Sequence, residues 1–131
     1  MNLATLCMIP AAALLAACSS SKEQAPAAPR VDSAALPVME RVALGANRCW
    51  FKSGDPMFAA YRLAPELNSF SGTPRILIVK RNSPESRPLL VVQAQGNPAR
   101  MSAFGPLMGE AQVAARVNRD VTAWARGGKG C

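Results

Sequence analysis

The sequence predicts an α+β fold, in which helices cover a small antiparallel sheet of three or four strands arranged as a meander. The first observation is a pair of short apolar runs, RILIVK (75–80) and PLLVVQAQ (88–95), separated by the polar loop RNSPESR. Such apolar runs around a polar loop are typical of a β-hairpin. The second observation is an apolar stripe in residues 110–126 at the 3.6-residue period of a helix. At 131 residues, the chain has room for one such domain.

The N-terminal part of this domain is predicted to be a short helix that begins at Pro37. Proline is tolerated in the first turn of a helix, where its missing N–H has no partner to lose. The valines that follow it lie one turn apart on the same face. Gly45 and Asn47 are typical of a helix end, and we expect more extended structure from CWF (49–51) onward.

The middle of the chain alternates between turn signals and extended segments. GDP (54–56) and GNP (96–98) are turn sequences. MFAAYRLAPEL (57–67) is ambiguous, because its weak alternation permits a strand and its alanine content permits a short helix up to Pro65. ARMSAFG (99–105) is predicted to add a third strand to the meander.

The last helix has the clearest periodicity in the sequence. Its apolar stripe consists of Val113, Val117, Val121 and Trp124. We expect this stripe to face the core, because the apolar strands need a cover on at least one side. Glu110 lies near the predicted N-terminus, and Arg126 and Lys129 lie near the C-terminus, as the helix dipole favours. Gly127 and Gly128 predict the end of the helix.

Residues 3–17 form an apolar run that has three interpretations. A membrane-spanning helix needs about 20 apolar residues, and this run is shorter and contains Pro10. A buried core helix is the second interpretation, although the run is apolar on every face. A secretory signal fits best, since such signals have an apolar segment of about 7–15 residues followed by small residues. The start of the chain, MNLATLCM, departs from the usual signal in carrying no Lys or Arg.

The apolar run ends on Leu15–Cys18 (LAAC), which SSSK follows. An aliphatic residue, two small residues and a cysteine at this position resemble the lipobox of bacterial lipoprotein precursors. The resemblance implies cleavage before Cys18, a diacylglycerol on its sulfur and acylation of the new amino group. Because Ser19 instead of Asp follows the cysteine, it also implies an outer-membrane lipoprotein facing the periplasm. The alternative is an ordinary signal peptide with a cysteine nearby by chance.

These boundaries divide the chain into three parts. Residues 1–17 are predicted to be the signal peptide, residues 18–36 the lipidated cysteine with a flexible tether, and residues 37–131 the folded domain. The tether is rich in Ser, Ala and Pro, and such a composition buries too little apolar area to offset the entropy of ordering. It contains no aromatic residue that could anchor a partner.

Two cysteines remain in the predicted domain once Cys7 leaves with the signal and Cys18 carries lipid. An even pair in a small domain of the oxidising periplasm predicts a disulfide between Cys49 and Cys131. A metal site and a catalytic thiol are the alternatives. Two cysteines without histidine do not make a structural zinc site, and their spacing excludes a CxxC redox motif.

Few residues of this chain suit catalysis, and we predict a protein that is not an enzyme and uses no cofactor or metal. The chain has no histidine, which removes Ser-His and Cys-His pairs. The adjacent pairs Lys52–Ser53 and Ser21–Lys22 lack a supporting motif. The carboxylates show no paired spacing along the chain: Asp55, Glu66, Glu85, Glu110 and Asp120. GGKG (127–130) follows a helix and so cannot present a helix N-terminus to phosphate.

The net charge of +7 is the remaining functional clue, from 15 basic and 8 acidic residues that all follow Cys18. The candidate anion-binding residues lie at strand ends and in the hairpin loop: Arg75, Lys80, Arg81, Arg87 and Arg100. They form either a solvated surface that keeps the protein soluble or a patch for lipid phosphates, lipopolysaccharide or anionic wall polymer. We expect no nucleic-acid partner, because the two tryptophans do not form an aromatic ladder.

The predicted function is that of a small lipoprotein of the bacterial cell envelope. Its lipid would hold it in the membrane, and it would serve as a non-catalytic accessory or binding module for an anionic ligand or an envelope protein. The alternative is an inhibitor- or chaperone-like module that acts on a periplasmic enzyme. A hydrolase is the third option.

Overall fold

The computed structural model describes residues 30–131, which form an α+β fold with a five-stranded antiparallel sheet and two helices. The predicted signal peptide, Cys18 and residues 19–29 of the predicted tether lie outside the described residues. Within residues 30–131, neither helix combines the length and the apolar character that are needed to cross a bilayer.

The sheet is a four-stranded meander with a short fifth strand at one edge. Its strands are β1 (Arg30–Val31), β2 (Tyr61–Glu66), β3 (Arg75–Lys80), β4 (Leu90–Gln95) and β5 (Ala99–Phe104). They lie in the order β1-β5-β4-β3-β2, and every neighbouring pair is antiparallel. The three predicted strands are confirmed as β3, β4 and β5. The ambiguous segment forms β2, where Pro65 is tolerated because β2 is an edge strand.

The described fold begins at Arg30, earlier than the predicted boundary at Pro37. β1 pairs with β5, and Val31 lies opposite Ala99 in the register. Helix α1 (Ala35–Ala46) then begins two residues before Pro37, which still lies in its first turn. Residues 30–36 of the predicted tether therefore belong to the domain. A two-residue strand has no periodicity of its own, so its pairing depends on an edge that only the folded sheet supplies.

The predicted end of the first helix is wrong. Instead of stopping at Gly45 and Asn47, α1 continues into a π-helical segment, Asn47–Lys52, so CWF is helical and not extended. Gly45 is buried, and a Cβ atom at this position would overlap the indole ring of Trp124. The glycine thus permits close packing between α1 and the C-terminal helix, and it does not mark a helix end.

The C-terminal helix, α2 (Ala111–Ala125), confirms the periodic pattern. Its predicted stripe is buried at every position: Val113, Val117, Val121 and Trp124. At the C-terminal end of α2, Arg41 of α1 donates hydrogen bonds of 3.2 and 2.6 Å to the carbonyl oxygen of Ala125. A cation at the C-terminus of a helix stabilises the helix dipole. Gly127 follows with a φ of 96°, as expected of a residue that ends a helix.

The core lies between the helices and one face of the sheet. The inward-facing residues of the central strands are fully buried: Ile76, Ile78, Leu90, Val92 and Ala94. Trp50, from the π-helical segment, stacks on Phe58 with 4.6 Å between ring centroids and tilts against Trp124 at 5.2 Å. Aromatic pairs at these separations add to the free energy of simple burial. The π-helical segment is therefore part of the core.

The predicted disulfide between Cys49 and Cys131 is present, with 5.3 Å between the Cα atoms. It fixes the end of the chain against the π-helical segment. Two further hydrogen bonds hold the same tail, one of 3.0 Å from Trp124 Nε1 to the carbonyl oxygen of Gly130 and one of 2.8 Å from Arg48 Nη2 to that of Lys129. The tail after α2 is thus tied to α2 and to the π-helical segment.

Candidate functional site

The five basic residues predicted to form a site lie at two opposite ends of the sheet. Arg75 begins β3 and Lys80 ends it, and a strand of this length spans about 17 Å. Arg81 and Arg87 belong to the loop that follows β3, near Lys80. Arg100 lies on β5 at the same end of the sheet as Arg75. The structure therefore does not bring the five residues together in one patch.

The group at the C-terminal end of β3 gains a fourth member from β2. We call Arg62, Lys80, Arg81 and Arg87 the basic cluster. All four side chains are exposed, and among residues 30–131 none of them forms an ion pair with a carboxylate. Glu85 is the acidic residue of the same loop. The cluster thus keeps a net positive charge that is directed to solvent.

Backbone hydrogen bonds position the basic cluster where β2 begins and β3 ends. The N–H of Arg81 donates to the carbonyl oxygen of Ala60 over 2.9 Å, which extends the pairing of the two strands by one residue. The loop is also closed on itself, because the N–H and the hydroxyl of Ser86 both donate to the carbonyl oxygen of Ser83, at 3.0 and 2.7 Å. Arg81 and Arg87 therefore extend from a hydrogen-bonded turn.

A surface cavity of about 360 Å³ lies within this region. We call it the basic cavity, and it is lined by Asn47, Phe51, Tyr61, Arg62, Leu63 and Arg81. A guanidinium group presents its N–H donors in a planar fork that matches carboxylate and phosphate oxygens. The asparagine amide and the tyrosine hydroxyl are further hydrogen-bonding groups. This combination of cations and polar groups suits a ligand that carries an anionic group.

The two basic residues at the other end of the sheet have a different environment. Arg75 Nε lies 2.6 Å from Glu66 Oε2, its cross-strand neighbour, so its charge is compensated within the fold. Arg100 is exposed and lies opposite Arg30 in the strand register. Arg75 is therefore less available to an anionic ligand than the members of the basic cluster.

A second group of charges surrounds a buried carboxylate where α2 packs against the π-helical segment. Asp120 is only 5% exposed, and its carboxylate accepts three hydrogen bonds. Trp50 Nε1 donates to Oδ2 at 2.9 Å, Arg116 Nε donates to Oδ2 at 2.5 Å, and Arg119 Nε donates to Oδ1 at 3.2 Å. This arrangement compensates the buried carboxylate, which would otherwise be costly to remove from water.

Arg116 joins Asp120 to a second carboxylate that is distant in the sequence. Its Nη2 lies 2.8 Å from Oδ2 of Asp55, and the other oxygen of Asp55 accepts the N–H of Met57 at 2.9 Å. The hydrogen bond with Asp120 raises the pKa of Arg116, although burial acts in the opposite direction. Because a guanidinium separates the two carboxylates and all their partners are internal, we interpret this group as structural.

The Lys52–Ser53 pair is not arranged for nucleophilic chemistry. The hydroxyl of Ser53 donates a hydrogen bond of 2.7 Å to the carbonyl oxygen of Cys49, one turn earlier in the chain. Lys52 is exposed at the end of the π-helical segment. The serine hydroxyl thus satisfies a backbone acceptor, as serine commonly does near helix ends.

Several residues that line the basic cavity were not predicted from the sequence to belong to a site. Asn47 and Phe51 belong to a segment predicted to be a helix end and extended chain, while the π-helical segment brings both to the start of β2. Arg62 lies in the segment that remained ambiguous between strand and helix. The alternation from Tyr61 to Glu66 was the available signal, since a strand assignment would have placed Arg62 beside the end of β3.

In comparisons with known proteins, no family model matched the chain, and no match was found among curated sequences or solved structures.

Proposed function

We propose that this protein is a lipid-anchored, non-catalytic binding module of the bacterial cell envelope, and that its basic cluster contacts anionic groups of the envelope. These groups are the phosphates and carboxylates of lipids, lipopolysaccharide or wall polymer. The observation that carries the proposal is the basic cluster itself, four exposed cations without an ion-pair partner in residues 30–131. Each basic residue close to an anionic membrane contributes about 1 kcal/mol to binding.

The proposed anchor would keep the domain close to a membrane. Residues 19–29 separate Cys18 from the start of β1, and eleven residues reach at most about 40 Å when fully extended. Attraction between charges falls off over a Debye length of about 8 Å at physiological salt, so the cluster must come close to its ligand. A short connection from lipid to domain makes such an approach frequent and supports a membrane-proximal ligand.

A second candidate function is an inhibitor- or chaperone-like module that binds an envelope protein. The specific observation that favours it is the exposed edge of the sheet, since β2 has no neighbouring strand on its outer side within residues 30–131. An unpaired edge offers backbone donors and acceptors to another chain.

Reversing the charge of two loop residues tests the basic cluster. In a version of the protein that begins at Ser19, Arg81→Glu with Arg87→Glu is expected to weaken binding to phosphatidylglycerol vesicles by at least about tenfold, because each lost cation contributes about 1 kcal/mol. Binding of the unaltered protein should fall as salt rises. Sedimentation with vesicles measures both effects, and parallel samples with lipopolysaccharide and with wall polymer distinguish the sources of the anionic group.

The matched control is Arg100→Glu with Arg126→Glu, which changes the net charge equally at exposed sites outside the cluster. It should retain most of the vesicle binding, and both variants should keep the melting temperature of the unaltered protein. Equal weakening by the two variants would show that net charge alone attracts the protein and would contradict a role for the basic cluster.

Replacing Cys18 tests the anchor. Cys18→Ser is expected to abolish the incorporation of labelled palmitate and the partitioning of the protein into detergent, because the thiolate of this cysteine would be the group that is lipidated. Cys7→Ser provides the control and should be labelled normally. If the label enters Cys18→Ser and the unaltered protein equally, or enters neither, the lipoprotein proposal is wrong.

A further inference from the structure

Within residues 30–131, no strand covers the outer edge of β2, so its backbone groups can pair with another strand. In an antiparallel pair, hydrogen-bonded residue pairs alternate with pairs whose N–H and C=O groups point away from the partner. The bond from Arg81 N–H to the carbonyl oxygen of Ala60 sets the phase of this alternation. Tyr61, Leu63 and Pro65 therefore direct their backbone groups away from β3. Proline has no N–H, so the edge offers two donors and three acceptors.

An apolar groove runs beside this edge, between β2 and α1. It has a volume of about 570 Å³ and is lined by Glu40, Ala43, Leu44, Asn47, Leu63, Pro65 and Leu67. Leu44 is 66% exposed, so a large apolar side chain of α1 borders the groove in contact with solvent. A strand added to β2 would direct every second side chain towards this groove, on the same face of the sheet as Leu63.

The groove is continuous with the basic cavity. Asn47 and Leu63 line both. At its opposite end, Pro65 and Leu67 continue into a surface groove below the hairpin tip, where Phe70 is fully exposed. The whole surface follows β2 from a basic end to an end where apolar side chains lie beside the Glu66–Arg75 ion pair, and we call it the β2 groove.

The charges along the β2 groove differ between its ends. Arg62 and Arg81 have no ion-pair partner among residues 30–131, whereas Glu66 at the other end pairs with Arg75. Glu40 borders the middle of the groove. An anionic group is therefore complementary to the end where β2 begins.

We propose that the β2 groove binds an extended C-terminal segment of another protein, which pairs with β2 as an antiparallel strand. β2 runs away from Arg62 and Arg81, so an antiparallel strand runs towards them and places its terminal carboxylate beside the two guanidinium groups. Alternate apolar side chains of the segment fill the groove beside Leu44. Backbone pairing provides affinity and the groove provides specificity, as in other peptides that extend a sheet.

A second copy of this chain fits the groove less well. Antiparallel pairing of β2 with its counterpart would bring Glu66 of one copy towards Arg62 and Arg81 of the other. Glu66 already pairs with Arg75 at 2.6 Å, so no free carboxylate would reach the basic end. The inferred partner does not depend on the proposed contact with anionic membranes, although Arg62 and Arg81 belong to both sites.

Selection from a library of short peptides displayed with free C-termini tests this inference, with the full chain held in non-ionic detergent. We expect enrichment of peptides with apolar residues at alternate positions before the C-terminus. Amidation of the terminal carboxylate and Arg62→Glu should each weaken binding by about tenfold in fluorescence anisotropy, which corresponds to about 1.4 kcal/mol. Leu44→Asp should weaken it similarly, and Arg87→Glu should leave it unchanged.

The variants separate this inference from the membrane proposal. Leu44→Asp should keep its binding to anionic vesicles, and Arg87→Glu should lose part of that binding while it retains the peptide. Circular dichroism should show that Leu44→Asp, at an exposed position, remains folded. No enrichment of peptides, or equal binding of selected peptides by Leu44→Asp, would overturn the inference. A dimer in sedimentation experiments that Leu44→Asp dissociates would also overturn it in favour of self-association.

Discussion

Replacing Cys49 and Cys131 with serine is expected to lower the free energy of unfolding by about 4–5 kcal/mol. The disulfide joins residues that are 82 positions apart, so it restricts most of the described chain in the unfolded state. In the chain-entropy model, the stabilisation grows with the length of the closed loop. A typical domain has only about 5–15 kcal/mol of stability in total, so this loss is a large part of it.

Removing the disulfide should lower the local stability of the C-terminal tail more than that of the rest of the domain, because few other contacts hold the tail. Without the disulfide, the tail depends on the bond from Trp124 Nε1 to Gly130 and on that from Arg48 to Lys129. Hydrogen exchange should therefore reveal early opening of the tail in the serine variant. The central strands should keep their order of protection, because their backbone pairing does not involve the tail.

Denaturation in guanidinium chloride measures the change in the free energy of unfolding. A version that begins at Ser19 contains no other cysteines, so reduction of the unaltered protein should reproduce the effect of the double substitution. Mass mapping without reductant should recover the two cysteine peptides joined. Two free thiols in protein isolated from its native compartment, or a change in unfolding free energy below about 1 kcal/mol, would contradict the prediction.

Asp120→Ala is expected to lower the free energy of unfolding by about 2–3 kcal/mol, because a buried donor loses its acceptor and a hydrogen bond to a charged group contributes about 1.5–3 kcal/mol. The substitution leaves the indole N–H of Trp50 without its acceptor and removes the closest carboxylate from Arg116. Asp55 remains paired with Arg116 through Nη2, so the guanidinium keeps one carboxylate partner and the loss stays below that of an unpaired buried charge. The same substitution also removes the hydrogen bond between Asp120 on α2 and Trp50 of the π-helical segment, whereas the ring contact of Trp50 with Trp124 remains.

Two matched variants test the physical reason for this loss. Arg119→Ala removes a partner that is 67% exposed and should cost less than about 1 kcal/mol, as is usual for surface ion pairs. Asp120→Asn keeps an oxygen that can accept the bond from Trp50, so its effect should lie between the other two. Thermal or chemical unfolding provides the comparison. Equal losses for Arg119→Ala and Asp120→Ala would mean that burial of the carboxylate is not the cause.

The strands and the last helix were predictable because their patterns are local. A short run of aliphatic residues such as that of β3 is typical of a buried strand in any fold. The apolar stripe of α2 repeats at the period of a helix. The disulfide was predictable for a different reason, since the number of remaining cysteines and the expected compartment left one pairing. None of these inferences required knowledge of which elements would be neighbours.

The helix end at Gly45 shows where local inference fails. Glycine is a frequent helix terminator, yet here it lies inside a helix because Trp124 occupies the space of its missing Cβ. The residue that requires a glycine at position 45 is therefore Trp124, which lies 79 positions further along the chain on α2. The π-helical continuation belongs to the same packing, since it carries Trp50 into the aromatic cluster with Phe58 and Trp124.

The candidate site was predictable only in part. Lys80, Arg81 and Arg87 are close in sequence and remain close in the fold, whereas Arg75 is paired with Glu66 and lies at the far end of β3. Arg62 could not be added without knowing that its segment is the strand beside β3. The same is true of Asp55 and Asp120, which are distant in sequence and are joined by Arg116.

By itself, the sequence determined the α+β class, the apolar strands, the stripe of the last helix and the pair of cysteines in the domain. Each of these depends on spacing or composition within one short segment, where the chain geometry dictates which side chains share a face. Only the tertiary structure decided the edge position of β2, the β2 groove, the membership of the basic cluster and the burial of Asp120. Those features depend on which surfaces meet, and that is set by the packing of the whole core.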